Sequence, residues 1–355
     1  PQSVSAARAR AAWRLVLWLP SLLLRPLPPG MVAAKREAAR RWAGLLAGRC
    51  DELLADDGAP PRTMTGRSAA AEDARHSRAA TMVRARELRR AAAALETVDT
   101  APASADTVAA LQKVVLPAPH AGDFPPDEPP SGEAGGGSQH RPLQLDPEDL
   151  WGPRGIFGPR MPKRSAGDRD GWTFESLRLV ADTKQGRGAV LALLNAIARG
   201  EVPDPAVAAW LRGGRLVALA KPQGGVRPIV VSSALRRAVS RGLAAKVAAQ
   251  AADIMAPLQH AVGLRAGTEV GIASVRAALS ADPAAAVVAL DASNAFNEVS
   301  RVVVRRQLAR HLPALLPYFD FLYTGPSALL LYSAGAVYSK VVCGEGLLQG
   351  DGLSP

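Results

Sequence analysis

The amino-acid sequence predicts an α+β fold in which a helical N-terminal region precedes a mixed domain. Residues 1–116 are rich in alanine, leucine and arginine at helical spacing and hold few runs that favour a β-strand. From residue 149 onward, helical stretches alternate with short apolar runs, a pattern typical of an α+β domain. Helices are expected over 173–181, 188–198, 233–255 and 270–279, and strands over 216–220, 229–231, 286–290, 329–332 and 337–343, the last two as a hairpin.

The N-terminal region is predicted to consist of several helices. Residues 31–57 and 69–95 show helical periodicity, and a shorter helix is expected over 107–115 after the capping residue Ser104. The apolar run 13–24 is too short to span a bilayer. We therefore expect a packing helix there and no membrane partner.

Residues 117–148 differ from the rest of the chain in composition. Proline recurs throughout this segment, and residues 135–137 are consecutive glycines. Proline removes backbone donors, and glycine raises the entropic cost of ordering a chain. We therefore expect a flexible linker that separates the helical region from the mixed domain.

The chain is basic, with 43 Lys and Arg residues against 32 Asp and Glu residues and a formal net charge of +11. Such a charge favours a polyanionic partner, because each neutralised phosphate releases a condensed counterion. The same composition is also typical of a chain encoded by GC-rich DNA. Cys50 and Cys343 are far apart and have no histidine pair nearby, which argues against a disulfide framework or a zinc site and indicates a reducing, intracellular compartment.

One aspartate stands at the end of a predicted strand. The apolar run 286–290 is followed directly by Asp291, and Phe296 comes five residues later. Phosphoryl transfer needs carboxylates to hold Mg²⁺ or Mn²⁺, and a strand end is a rigid support for such a ligand. On its own, an acidic residue in this position is more often a turn or a helix cap.

A basic segment lies upstream of this aspartate. Lys221 and Arg227 flank two glycines between two β-type runs, which predicts a hairpin able to hold two cations over a phosphate chain. A single hairpin of this kind is usually a plain surface turn. Arg236, Arg237 and Arg241 follow on a predicted helix, where their spacing places them near one face as candidate nucleic-acid contacts.

The third candidate segment is the glycine-rich stretch 344–355. It contains Gln349 and Gly350, and the amide of Gln349 is suited to a hydrogen bond with a nucleotide or a template base. Asp351 is expected to be a loop or cap residue rather than a metal ligand. Alone, the stretch has the character of a loop that precedes a helix.

Taken in this order, the segments resemble the reverse transcriptases of non-LTR retrotransposons, over residues 149–355. Residues 165–173 (SAGDRDGWT) resemble the opening motif of that family, and 221–229 (KPQGGVRPI) resemble its fingers motif. Residues 290–297 (LDASNAFN) are similar to the first palm motif, and 346–355 (GLLQGDGLSP) to the second, although Gly352 stands where the family usually has proline.

The resemblance implies right-hand polymerase fingers over 149–284 and an incomplete ferredoxin-like palm over 285–355. It implies that Asp291 binds the catalytic Mg²⁺ or Mn²⁺ and that Phe296 excludes a ribose 2′-hydroxyl. By the same resemblance, Lys221 and Arg227 contact the incoming triphosphate, and Gln349 and Gly350 lie at the nucleotide and template. The partners implied are an RNA template, a DNA primer and deoxynucleoside triphosphates, in the nucleus or in a ribonucleoprotein particle.

The third palm motif of the family, an aromatic-x-Asp-Asp hairpin, does not follow the Gln349 segment within the 355 residues. A two-metal site with one carboxylate should bind Mg²⁺ poorly, so we expect this polypeptide to be inactive by itself. Two other functions remain open. One is a non-catalytic nucleic-acid-binding remnant, and the other is an RNA-dependent RNA polymerase, against which the large ring of Phe296 argues.

Overall fold

The structure is a computed structural model of the 355-residue chain. It describes residues 2–23, 31–47, 80, 100–117, 141–159, 161, 170–221, 224–260, 266–282, 284–333 and 336–353. Outside the described residues lie Cys50, the helix expected over 69–95 except residue 80, the proline-rich residues 118–140, residues 165–169 of the opening motif, and residues 222–223 of the basic hairpin.

Twelve α-helices and one turn of 3₁₀-helix are present among the described residues. The helices are α1 (Gln2–Leu23), α2 (Met31–Leu46), α3 (Ala105–Val114), α4 (Pro147–Trp151), α5 (Phe174–Ala181), α6 (Lys184–Ala198), α7 (Pro205–Arg212), α8 (Ala234–Met255), α9 (Gly267–Ala281), α10 (Ala295–Glu298), α11 (Arg301–His311) and α12 (Leu316–Tyr323), and the 3₁₀ turn is Pro313–Leu315. None of these helices combines the length and the apolar character needed to cross a bilayer.

Short polar side chains determine where several helices begin. The Ser104 hydroxyl accepts a hydrogen bond from the backbone N–H of Thr107 at the start of α3, as the sequence predicts. Thr173 and Ser176 form a reciprocal capping box at α5. Asp204 caps α7, and Ser233 caps α8, the long helix that crosses the core.

The strands form one four-stranded sheet in the order β2-β1-β3-β4, where β1 is Gly214–Ala220, β2 is Val226–Val231, β3 is Ser327–Ser333 and β4 is Ala336–Cys343. The pairs β1–β2 and β3–β4 are antiparallel hairpins, and β1 runs parallel to β3. Both hairpins and the mixed α+β character predicted from the sequence are therefore confirmed.

The strand predicted over 286–290 is wrong. These residues form no regular secondary structure and pair with no strand in the described part of the chain. Their apolar side chains face solvent, with Val287 56%, Val288 78% and Leu290 92% exposed. An apolar run forms a stable strand only when a neighbouring strand satisfies its backbone groups and another layer covers its side chains.

The domain boundary expected between residues 117 and 148 does not coincide with a break in the packing. Leu111 and Val115 of the N-terminal part are fully buried in the same core as the sheet. Within the expected linker, Leu145 is buried, and its backbone N–H and C=O both bond the side-chain amide of Asn195 on α6 (2.7 and 2.9 Å). Residues 100–117 and 141–148 are thus part of the mixed domain.

Candidate functional site

The basic hairpin projects its two cations into solvent. Lys221 precedes the turn between β1 and β2, and Arg227 is the second residue of β2; both are exposed. The turn is closed by a bond from the Lys221 N–H to the Gly225 carbonyl (3.1 Å) and by one from the Gly224 N–H to the Lys221 carbonyl (3.0 Å). Gly224 and Gly225 both have positive φ, which glycine adopts without strain. The side chains of Lys221 and Arg227 are therefore accessible from solvent.

Arg236 does not face solvent, which corrects its prediction as a nucleic-acid contact. Its side chain is completely buried, and Nε donates to Oδ2 of Asp351 at 2.6 Å. Nη1 donates to the Arg212 carbonyl (2.6 Å), and Nη2 donates to the Tyr323 hydroxyl (3.0 Å). In this structure Arg236 joins helices α7, α8 and α12 to the C-terminal loop, so its role is structural.

The other two arginines of α8 are half-buried. Arg237 lies over the ring of Phe174, with 5.4 Å between Cζ and the ring centroid. The backbone of Arg241 lies close to Gly352, where a Cβ would be 3.3 Å from the Arg241 nitrogen. Both residues therefore contact other parts of the protein, and only part of each remains exposed to solvent.

The loop 344–353 is fastened to the edge of β2. The Val230 N–H donates to the Gln349 carbonyl at 2.9 Å, which occupies a backbone donor at that edge of the sheet. Gly350 has a φ of +115°, and a Cβ at this position would lie 2.8 Å from the Val230 carbonyl oxygen. Asp351 accepts from the Leu353 N–H (3.1 Å), which confirms it as a loop residue. The approach of loop and strand thus depends on glycine.

The same loop is fastened to the turn that carries Phe296. The Leu347 N–H donates to the Phe296 carbonyl at 2.7 Å. Gly346, with a φ of +69°, packs directly on the backbone of Asn297, where a side chain would overlap it. Helix α10 and the loop are therefore in backbone contact.

A second buried arginine, Arg301, secures this contact, although no local sequence pattern predicts it. Its backbone N–H donates to the carboxylate of Glu345, and its Nε donates to the Gly346 carbonyl, both at 2.8 Å. The Tyr323 ring is close to two buried cations, with its centroid 5.2 Å from Cζ of Arg301 and 5.4 Å from Cζ of Arg236. Because Arg301 and Glu345 are 44 residues apart, periodicity and local motifs carry no signal for this pair.

An apolar cavity of about 640 Å³ borders Phe296. Its walls come from α8, α11, α12 and the loop, through residues such as Val247, Leu308, Phe319 and Leu347. The half-buried Phe296 ring therefore has apolar neighbours in place of a polar pocket.

Asp291 is exposed and directly follows the irregular run 286–290. In the described part of the chain, no group of three or more His, Cys, Asp or Glu side chains is arranged to hold a metal ion. A single exposed carboxylate does not fit a two-metal site, and these residues alone do not supply the ligands for one.

The loop 344–353 is thus the junction of the predicted motifs: it contacts β2 at Val230, α8 at Arg236 and the Asp291–Phe296 turn at the Phe296 carbonyl. No protein-family model matches the chain, and no curated protein matches it.

Proposed function

We propose that the chain forms the fingers and the first part of the palm of an RNA-directed DNA polymerase of the non-LTR retrotransposon type. The observation that supports this most strongly is the junction made by the loop 344–353. The β2 segment at Val230 and the α8 segment at Arg236, both more than a hundred residues from the loop, and the nearer segment at Phe296 meet there through backbone and buried side-chain bonds, and these segments contain or adjoin stretches that resemble successive motifs of one enzyme family.

In this proposal the exposed cations of the hairpin, Lys221 and Arg227, attract the triphosphate of the incoming nucleotide. Phe296 lies beside its sugar, and Gln349 and Gly350 lie beside the base pair being formed. Asp291 is one metal ligand, and further carboxylates must complete its site. The buried side chains of Arg236 and Arg301 hold these parts in register.

A non-catalytic nucleic-acid-binding protein is the second candidate. The observation that favours it is the setting of Asp291, which lies on an exposed, unpaired run of the described chain and not on a strand of the sheet. This candidate uses the same basic hairpin and performs no synthesis.

Binding to an RNA–DNA hybrid with a recessed 3′ end tests the nucleic-acid part of both candidates. The chain should bind the hybrid with a strong dependence on salt, because each neutralised phosphate releases counterions. The double substitution Lys221→Ala/Arg227→Ala should weaken binding and lower the slope of log K against log salt by about 1.5, at roughly 0.7–0.9 for each phosphate that is no longer neutralised.

The matched control is Arg154→Ala/Lys184→Ala, which removes the same charge from two other exposed positions. An equal loss of affinity in the control would show that only net charge matters, and would contradict the assignment of the hairpin. Synthesis by the product of the complete open reading frame then separates the two candidates, because this polypeptide is expected to be inactive by itself and only a polymerase extends the primer.

A further inference from the structure

Residues 100–117 connect the basic hairpin to the Phe296 turn, and we call them the strut. At its N-terminal end, the strut is bonded to β1 near the hairpin. The Ala101 N–H donates to the Ala218 carbonyl at 2.8 Å, and Thr100 forms an antiparallel bridge with Leu219. The N-terminal end of the strut therefore contacts β1 at Leu219, two residues before Lys221.

The middle of the strut is the helix α3, which contacts both β2 and β4. Its Thr107 and Leu111 side chains and the adjoining Val115 are buried. A ten-residue helix is about 15 Å long and is stiff on this scale. The strut is thus a rigid element held on both hairpins of the sheet.

At its C-terminal end, the strut is bonded to the Asp291–Phe296 turn and to the loop. Nδ2 of Asn294 donates to the Val114 carbonyl at 2.9 Å. The Leu116 carbonyl accepts from the backbone N–H groups of Gly344 (2.7 Å) and Glu345 (3.3 Å). Helix α10, which contains Phe296, and the loop 344–353 are therefore both attached near the C-terminal end of α3.

Asn294 is suited to this connection by its backbone and by its side chain. Its φ of 54° lies in the left-handed region, which asparagine tolerates better than most residues. Besides the bond to Val114, Nδ2 donates to Oε1 of Glu298 (3.0 Å), and Oδ1 accepts from Nδ2 of Asn297 (2.6 Å). Asn294 thus ties α10, which contains Phe296, to the strut.

The sheet alone does not fix the hairpin relative to this turn. Strands β1 and β3 pair only over 214–216 and 329–331. Residues 217–220, the outer half of β1 next to the turn, are therefore not paired with β3. The backbone bonds at Thr100 and Ala101 support β1 in that outer half.

We propose that residues 100–117 act as a strut that fixes the separation between the Lys221–Arg227 hairpin and the Phe296–Gln349 region, with Asn294 as its positioning residue. The purpose of that separation rests on the proposed function. In that function the separation sets the distance from Lys221 and Arg227, which attract the triphosphate, to Phe296 and Gln349, which lie beside the sugar and the base. The mechanical coupling itself does not depend on that function.

Hydrogen exchange of the whole chain, without nucleic acid, tests the coupling. Asn294→Asp keeps the size of the side chain and the acceptor for Asn297 but cannot donate to Val114. It should raise exchange at the opposite end, at the amide of Ala101, by about fivefold, the lower end of the usual coupling between sites. Conversely, Ala101→Pro removes the donor to Ala218 and should raise exchange at Gly344 and Leu347 by a similar factor.

Two controls match these variants. Ser293→Ala changes an exposed neighbour of Asn294, and Ala105→Pro places proline at the first position of α3, where a helix tolerates it. Neither should change exchange at the distant end, and the amides of α6 should stay unchanged in every variant, which excludes global unfolding. If Asn294→Asp does not fold, Asn294→Gly serves instead, because glycine keeps the positive φ.

A change confined to the substituted end would overturn the strut, whatever the chain binds. A coupled change together with no binding to the RNA–DNA hybrid would leave the strut standing and contradict the proposed function. The two inferences therefore fail in different measurements.

Discussion

The Arg236 guanidinium donates from Nε to Oδ2 of Asp351 at 2.6 Å, and neither side chain has appreciable contact with solvent. Burial alone would lower the pKa of Arg236, but the Asp351 carboxylate, together with Tyr323 and Tyr318, outweighs burial and raises it. The pair joins residues 115 positions apart and fastens the C-terminal loop to the core. Removing either charge would therefore leave the other one buried without its partner.

Arg236→Met should be strongly destabilising, because it leaves the Asp351 carboxylate buried without its cation. We expect a loss of about 3–5 kcal/mol in the free energy of unfolding, measured by urea denaturation. The double variant Arg236→Met/Asp351→Leu removes both charges and should recover a large part of that loss. A double variant as unstable as the sum of both single variants would show that the two residues are energetically independent.

Gly350→Ala should detach the loop from β2. The residue has a positive φ, and the added Cβ would lie 2.8 Å from the Val230 carbonyl oxygen, so backbone strain and a steric clash combine. We expect a cost of about 1–3 kcal/mol and faster hydrogen exchange at Val230. Gly188→Ala is the control, since this exposed helical glycine has open space at its Cβ and should gain roughly 0.5–1 kcal/mol. Equal effects at both positions would contradict the docking of the loop.

Acid should weaken the contact between α1 and α7 through Asp204. Burial alone would raise the pKa of this carboxyl, but backbone N–H groups at Val207 and Ala206 and the Arg14 guanidinium hold it below its ordinary value. A lowered pKa in the folded state means that the stabilisation is complete above the unfolded value of about 3.9 and is lost as the pH falls through the lower folded value.

The variant Asp204→Asn keeps an acceptor for the helix cap and removes the charge. Its stability should therefore lie furthest below that of the unaltered chain near neutral pH, and the gap should narrow as the pH falls below about 4. The measurement is the free energy of unfolding of both proteins between about pH 3 and pH 7. A gap that stays constant over this range would contradict the role of the Asp204 charge.

Features that depend on neighbouring residues in the chain were predictable. The helix after Ser104, the two hairpins and the loop character of Asp351 each follow from local capping, turn or spacing rules, and the structure confirms them. The run 286–290 was predicted wrongly because a strand needs a partner strand, and apolar composition alone does not supply one.

The burial of Arg236 was not predictable from its spacing. Helix α8 buries Leu235, Arg236, Ala238 and Val239 in its first turns, and Arg237 and Arg241 are only partly exposed, so the three arginines do not share one solvent face. Asn294 and Val114 are 180 residues apart, so local sequence patterns do not indicate the bond between them. For this reason the role of residues 100–117 could not be deduced from the sequence.

Primer extension on an RNA template tests the central claim most directly. Because this polypeptide is expected to be inactive by itself, the protein tested is the product of the complete open reading frame, which the proposal requires to supply the remaining metal carboxylates. It is compared with Asp291→Asn and with Asp282→Asn, an exposed carboxylate at the end of α9. We predict Mg²⁺-dependent incorporation of deoxynucleotides by the unaltered protein and the Asp282 control, and a loss of roughly a hundredfold or more in Asp291→Asn, since metal ligation contributes several kcal/mol. Extension that survives Asp291→Asn, or hybrid binding with no synthesis by the unaltered protein, would contradict the account.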